Sequence, residues 1–134
     1  MAPWPQKLEP LAFYERLRAA SPAPHSAYLD LGGTQVFSAS PECFLRMNGR
    51  RIVTRPIKGT RAAADRAADL ERSEKEGAEL AMIVDLMRND LGRVATPGTV
   101  SVESFLEVER YSHVLHLVSS VEAQVAPGKS ALDA

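Results

Sequence analysis

The stretch CFLRMNGRRIVT, residues 43–54, decides the fold, because it predicts two β-strands joined by a tight turn. Asn48 and Gly49 both tolerate a positive φ, which the favoured two-residue hairpin turns require. The runs on either side, 43–47 and 51–54, have the apolar and β-branched composition of strands. The sequence therefore predicts an antiparallel hairpin at this point.

The N-terminal part of the chain predicts a helix followed by another hairpin. Residues 27–31 and 35–38 have strand composition and flank a Gly-Gly turn. Before them, Pro10 opens a segment, residues 11–20, whose apolar side chains follow helical spacing. A proline-rich stretch then ends that helix.

The C-terminal part predicts helix first and strand afterwards. Residues 66–91 favour helix, and Ser73 with Glu76 forms a capping-box pattern, so either one long helix or two helices are expected. Residues 99–108 and 114–125 are rich in valine and predict two further strands. This order of elements predicts an α+β fold in which helices pack on an antiparallel sheet.

Composition limits the class of protein. The chain has 134 residues with 45% hydrophobic and 25% charged residues, which fits one globular domain over residues 1–134 with an irregular lead at 1–7. The net charge of -1 gives no field that would attract nucleic acid. The single cysteine, Cys43, excludes an intramolecular disulfide. No apolar run reaches the roughly 18 residues of a membrane span, so a cytoplasmic protein without membrane or nucleic-acid partners is expected.

The end of the sequence predicts the start of a further helix. Ser130 resembles an N-cap, and Asp133 stands three positions later. A single isolated helical turn is unstable, because helix nucleation is costly. We therefore expect the chain to be part of a longer fold, truncated after residue 134.

Two residues are candidates for chemistry on their local context. Lys58, in PIKGT, follows a strand directly. It is either a functional residue beside a ligand, acting as a cation or as an amine nucleophile, or a solvated turn lysine. Glu79 lies at the edge of an apolar helical stripe. A carboxylate there needs a partner, which is either Mg²⁺ or a base such as Arg88 or Arg93.

Two more residues have ordinary explanations when each is taken alone. His116 interrupts an apolar strand, where a hydrogen-bonded core histidine is the usual outcome. Glu42 follows Ser40-Pro41 at the start of a strand, where a surface carboxylate is expected.

Four motifs in order resemble the chorismate-binding enzyme family, which includes anthranilate, aminodeoxychorismate, isochorismate and salicylate synthases. They are SPExFL at 40–45, RPIKGTR at 55–61, EKxxAExxMIVDLxRNDLGR at 74–93 and EVExYxxVxHLVS at 107–119. The resemblance covers nearly the whole chain and implies about half of that family's layered fold.

The resemblance also implies roles for individual residues. Glu79 matches the family's magnesium-ligand glutamate, and His116 matches the histidine that lies against bound chorismate. Gly59 and Thr60 match groups that line the substrate pocket. Glu42 matches the carboxylate that acts as general acid for the departing C4 hydroxyl group.

Within the family, Lys58 favours one activity. Relatives that make anthranilate or isochorismate usually carry alanine at this position, whereas aminodeoxychorismate synthases carry lysine. The resemblance therefore implies conversion of chorismate and ammonia to 4-amino-4-deoxychorismate, for p-aminobenzoate and folate synthesis. The ammonia would come from a glutamine amidotransferase subunit or domain.

The sequence departs from the family pattern in ways that leave alternatives open. The segment between Thr60 and Glu74 is short, and the family's second metal-binding glutamate would lie beyond Ala134. The chain by itself is therefore expected to be inactive. The alternatives are the chorismate-binding component of anthranilate synthase and a non-catalytic truncated domain or binding module.

Overall fold

The structure is a computed structural model that describes residues 8–130, 132 and 133. The chain divides into two compact units, Met1–Glu42 and Cys43–Ala134. The predicted irregular lead, residues 1–7, lies outside the described residues. The prediction of one domain over residues 1–134 stays a prediction.

The first unit contains the predicted helix and hairpin: α1 (Pro10–Ala20), β1 (His25–Asp30) and β2 (Gln35–Ser40). The two strands are antiparallel. Gly32 has a φ of 83° in the connecting turn, and its N–H donates to Oδ1 of Asp30 at 2.9 Å. The Phe37 ring lies 5.3 Å from the Phe13 ring and 5.4 Å from the Tyr28 ring, so aromatic contacts join helix and hairpin.

The described residues of the second unit form five strands and two helices: β3 (Cys43–Asn48), β4 (Arg51–Arg55), β5 (Ile57–Ala62), α2 (Ala67–Glu71), α3 (Glu74–Gly92), β6 (Ser101–Arg110) and β7 (Val114–Gln124). Every strand pair is antiparallel. The predicted α+β class with an antiparallel sheet is confirmed. No helix within the described part of the chain is long and apolar enough to cross a membrane.

β7 is the central strand of this sheet. Its residues 121–124 pair with β4 and its residues 114–118 pair with β5, while β6 pairs along 115–122. Because the β6 pairing overlaps both of the others, β6 must lie on the opposite edge of β7. Among the described residues β5 pairs only with β7, so the other edge of β5 is open.

The helices cover one face of the sheet. The core they enclose contains Leu70, Leu80, Val84 and Leu91 from the helices and Ile52, Leu115, Leu117 and Val121 from the strands. Successive residues of a strand project to opposite faces. Leu115 and Leu117 therefore face the helices, and His116 between them faces the other side of the sheet.

The segment around Lys58 is a strand, whereas the sequence favoured a turn. Only Pro56 separates β4 from β5, and both pair with β7. The Pro56 carbonyl accepts from the Ser119 N–H at 3.2 Å, which keeps β7 attached across the interruption. In a sequence pattern, proline and glycine usually indicate the end of a strand. Here Pro56 marks a kink and Gly59 a bulge, while β4 and β5 both remain paired with β7.

The helical stretch consists of two helices, as the capping-box pattern allowed. α3 begins after Ser73, whose Oγ accepts from the Glu76 N–H at 3.4 Å. At the end of the chain, Asp133 Oδ2 accepts from the N–H and the hydroxyl of Ser130 at 2.7 and 2.9 Å. These bonds match the predicted cap, although no helix is present among the described residues there.

Candidate active site

The contact between Thr60 and His116 forms the centre of the candidate site. Thr60 on β5 and His116 on β7 are direct cross-strand partners, and Thr60 Oγ1 lies 3.1 Å from Nδ1 of the imidazole. The Gly59 carbonyl oxygen lies 3.4 Å from the same nitrogen. His116 is only 8% exposed. The structure thus brings His116 against Gly59 and Thr60, which lie more than fifty residues earlier in the sequence.

Gly59 makes this arrangement possible. Its φ is 68°, and it lies at a bulge between Lys58 and Thr60. A Cβ at this position would lie 2.7 Å from Cδ1 of Leu70 and 3.3 Å from Cγ and Cδ of Glu76. Only glycine combines this conformation with such close packing against α2 and α3.

The bulge places Lys58 and Thr60 on opposite faces of the sheet. Lys58 pairs with Leu117, whereas Thr60 pairs with His116. Cross-strand partners share a face, and neighbouring residues of β7 do not. Half-buried Lys58 therefore lies on the helix-covered side, and it can share a ligand with Thr60 and His116 only at the open edge of β5. Its catalytic role stays a prediction.

Glu79 lies on α3 with its side chain 44% exposed. Its Oε1 is 3.9 Å from Nζ of Lys75, so the base beside it is Lys75, whereas Arg88 pairs with Asp85. The described residues contain no group of three acidic, histidine or cysteine side chains arranged to hold a metal. A single carboxylate still fits Mg²⁺, which commonly takes one or two carboxylates with waters and substrate oxygens. The magnesium role of Glu79 stays a prediction.

Glu76 is a candidate that the sequence interpretation missed. It is half-buried, and it is the α3 carboxylate that packs against Gly59. The available signal was its spacing of three residues from Glu79, which puts both side chains on the same flank of the helix.

Glu42 is exposed at the end of the first unit. Its N–H donates to Oγ of Ser40 at 3.2 Å, and the Ser40 hydroxyl donates back to the Glu42 carbonyl at 3.3 Å. This hydroxyl-stabilised turn fixes the backbone just before β3. The general-acid role of Glu42 stays a prediction.

Tyr111 and Glu109 adjoin His116 and are linked to Arg55, and the sequence interpretation gave none of the three a role. The Tyr111 hydroxyl donates to Oε2 of Glu109 at 2.8 Å, and Arg55 forms an ion pair with Oε1 of the same carboxylate. The Tyr111 ring meets the His116 ring edge-on at 5.5 Å. Burial, followed by the hydrogen bond to Glu109, raises the pKa of Tyr111 above its usual value, so the phenol stays protonated at neutral pH.

A cavity of about 530 Å³ lies elsewhere in the second unit. Phe44, Met87, Asp90, Leu91 and Lys129 are among its lining residues, and none of the predicted site residues takes part. Asp90 follows Glu76 by four turns of α3, which corresponds to about 20 Å. This cavity is therefore separate from the Thr60–His116 contact.

The family follows from a direct comparison. The sequence profile of chorismate binding enzymes matches residues 2–134. The chain therefore belongs to the chorismate-binding enzyme family.

Relatives within this family differ in the product they are named for. The chain is 53% identical to anthranilate synthase component 1 of Thermus thermophilus, over 97% of this chain and 30% of the relative. It is 41% identical to aminodeoxychorismate synthase component 1 of Bacillus subtilis, over 94% of this chain and 28% of the relative. The chain thus spans less than a third of the length of these relatives.

A solved structure supports the fold. Anthranilate synthase component I of Streptococcus pneumoniae superposes with a TM-score of 0.81 at 38% identity, covering 93% of this chain and 28% of that one. The layered arrangement of helices and antiparallel sheet is therefore that of the family.

Proposed function

We propose that the complete protein binds chorismate and catalyses its amination as the chorismate-binding component of an anthranilate synthase. The observation that carries the proposal is the contact of Gly59 and Thr60 with His116, beside the open edge of β5. The anthranilate product is favoured because the more similar of the relatives described above has that activity in its name. Ammonia would come from a glutamine amidotransferase partner, and the protein would act in the cytoplasm.

The residues of the chain have distinct tasks in this proposal. Thr60 and His116 hydrogen-bond to the substrate from one face of the sheet, and the tight bulge at Gly59 lets the substrate approach the backbone. Glu42 donates a proton to the departing C4 hydroxyl. Glu79 would contribute one carboxylate to a Mg²⁺ site, where the cation would offset the charge of a substrate carboxylate.

Lys58 favours a second candidate, aminodeoxychorismate synthase component I. The free amine of Lys58 would form a bond to C2 of chorismate while the ring double bond shifts and the C4 hydroxyl leaves as water with a proton from Glu42. Ammonia would then form a bond to C4 and expel the lysine, which regenerates the amine. The half-buried position of Lys58, directly before the Gly59 bulge, supports this alternative.

Product analysis distinguishes the two candidates. The complete protein would be incubated with chorismate, ammonium and Mg²⁺, and the products separated by chromatography. We expect anthranilate together with pyruvate. Accumulation of 4-amino-4-deoxychorismate would favour the second candidate. Failure to aminate chorismate at all would contradict both and support a non-catalytic binding role.

The covalent step has its own test in Lys58→Ala. If Lys58 is the nucleophile, intact-protein mass spectrometry after chorismate treatment detects an adduct in the wild type and none in the variant. Lys129→Ala is the matched control, because Lys129 lies beside the separate cavity and its loss leaves the adduct unchanged. An adduct that persists in Lys58→Ala, or that maps to Lys75, would remove Lys58 from the mechanism.

A further inference from the structure

We propose that Arg55, Glu109 and Tyr111 form a positioning array that holds the His116 imidazole in one orientation, protonated at Nδ1. The inference rests on the proposed function only in treating His116 as a residue of the active site. The array itself is defined by contacts within the second unit. None of its three members touches the substrate in this proposal, so they act through His116.

The position of Tyr111 follows from the β6–β7 hairpin. The Tyr111 N–H donates to the Val114 carbonyl at 2.8 Å, which closes the connection between the two strands. Glu109 on β6 is the direct cross-strand partner of His116. The hairpin therefore brings the Tyr111 ring against the imidazole and its hydroxyl onto the Glu109 carboxylate.

The Glu109 carboxylate is held at both oxygens. Oε2 accepts from the Tyr111 hydroxyl, and Oε1 forms the ion pair with Arg55. Arg55 belongs to β4 and Glu109 to β6, so this ion pair must reach across β7, which lies between them. Charge-assisted hydrogen bonds are stronger than neutral ones, and this one restrains the group to which Tyr111 is bonded. The tyrosine ring is consequently fixed at its hydroxyl end.

The contacts on the opposite side of His116 favour one tautomer. Nδ1 faces both the Gly59 carbonyl and Thr60 Oγ1. A carbonyl oxygen can only accept, so its contact with Nδ1 is a hydrogen bond only when Nδ1 carries the hydrogen, and Thr60 Oγ1 can then accept as well. A neutral imidazole protonated at Nδ1 has its lone pair on Nε2. His116 would therefore present a hydrogen-bond acceptor, and not a donor, to a ligand.

A second ion pair in the same sheet provides a control. Arg51 on β4 binds Glu122 on β7, with Arg51 Nε donating to Oε2 of Glu122 at 2.7 Å. This pair is also a cross-strand arginine–glutamate contact, but the described structure records no tyrosine or histidine ring on it. If the Arg55 pair only tied strands together, loss of either pair would leave the state of His116 unchanged.

The test combines NMR of the imidazole with kinetics of the complete protein. In the wild type, at a pH where the imidazole is neutral, the His116 ¹⁵N shifts should show a hydrogen on Nδ1 and none on Nε2. In Tyr111→Phe, which keeps the ring but loses the hydroxyl, and in Glu109→Gln, the two shifts should move toward each other. We expect kcat for chorismate amination to fall about 10-fold, with a smaller change in KM, as is typical when a supporting hydrogen bond is lost. Glu122→Gln should match the wild type in both measurements.

Several outcomes overturn the inference. It is wrong if the wild type is protonated at Nε2, or if Tyr111→Phe retains wild-type shifts and kcat. Tyr111→Phe decides the matter if Glu109→Gln fails to fold. A wild type that shows the expected shifts without aminating chorismate would contradict the proposed function and leave the array intact. If the complete protein aminates chorismate but the array variants keep the wild-type ¹⁵N shifts, the array is contradicted and the proposed function is not.

Discussion

Gly59 adopts a φ of 68° and packs so closely against α2 that a Cβ would lie 2.7 Å from Leu70. Gly49, in the β3–β4 turn, has a similar φ of 59° but no atom within 4 Å of an added Cβ. The two glycines therefore separate the energetic cost of backbone strain from the cost of steric overlap.

Replacement of each glycine by alanine tests this difference. We expect Gly49→Ala to lower the free energy of unfolding by about 1 kcal/mol, because only the left-handed conformation is penalised. Gly59→Ala should cost roughly 2–4 kcal/mol, since overpacking adds about 1–3 kcal/mol. Urea denaturation followed by circular dichroism gives both values. Equal losses would mean that the contact with Leu70 relaxes freely.

At the scale of elements, the start of α3 positions the two candidate carboxylates. Ser73 accepts from the Glu76 N–H through its side chain and from the Gly77 N–H through its carbonyl. This cap keeps the first turn helical, and Glu76 and Glu79 project from the first two turns. Fraying of this end would therefore displace Glu76 from Gly59.

Ser73→Ala should lower the free energy of unfolding by about 0.5–1 kcal/mol, at the weaker end for an N-cap because the bond is 3.4 Å long. The Glu76 amide should also exchange its hydrogen faster, since it loses its acceptor. Ser112→Ala, at an exposed position in the β6–β7 connection, should stay within about 0.5 kcal/mol of the wild type. An unchanged Glu76 exchange rate would show that the cap contributes nothing to the first turn.

At the scale of the whole molecule, the second unit leaves large apolar side chains exposed. Phe44 is 75% exposed, Met82 66%, and Phe105 and Leu86 about half. Single exposed apolar residues are common, whereas contiguous apolar patches are typical of surfaces that contact other protein. Met82 and Leu86 lie four residues apart on α3, so they share one flank of the helix.

We expect the 134-residue chain to self-associate as its concentration rises, in sedimentation velocity at moderate salt. Met82→Lys combined with Leu86→Lys should shift the distribution toward monomer, because charge disfavours burial of that flank. Glu71→Gln, which removes a negative charge at an exposed polar position, should leave the distribution unchanged. A monodisperse monomer at all concentrations would contradict this expectation.

The local parts of the fold were predictable from the sequence. Both hairpins have short turns that set their own geometry, and their strands occur close to the predicted bounds. α1 and the division between α2 and α3 also follow local signals, namely Pro10 and the Ser73 cap. The α+β class and the family follow from motifs that the chain carries in order.

The tertiary structure decided what depends on distant partners. β5 is a strand because β7, more than fifty residues later, pairs with it despite Pro56 and Gly59. The bulge at Gly59 then sets which face Lys58 and Thr60 occupy, and a shift of one residue reverses the face of a strand side chain. The link from Arg55 through Glu109 and Tyr111 to His116 likewise requires three strands side by side. Residue types and spacing determine local hydrogen bonds and turns, whereas only the assembled sheet fixes register, and register decides which side chains meet.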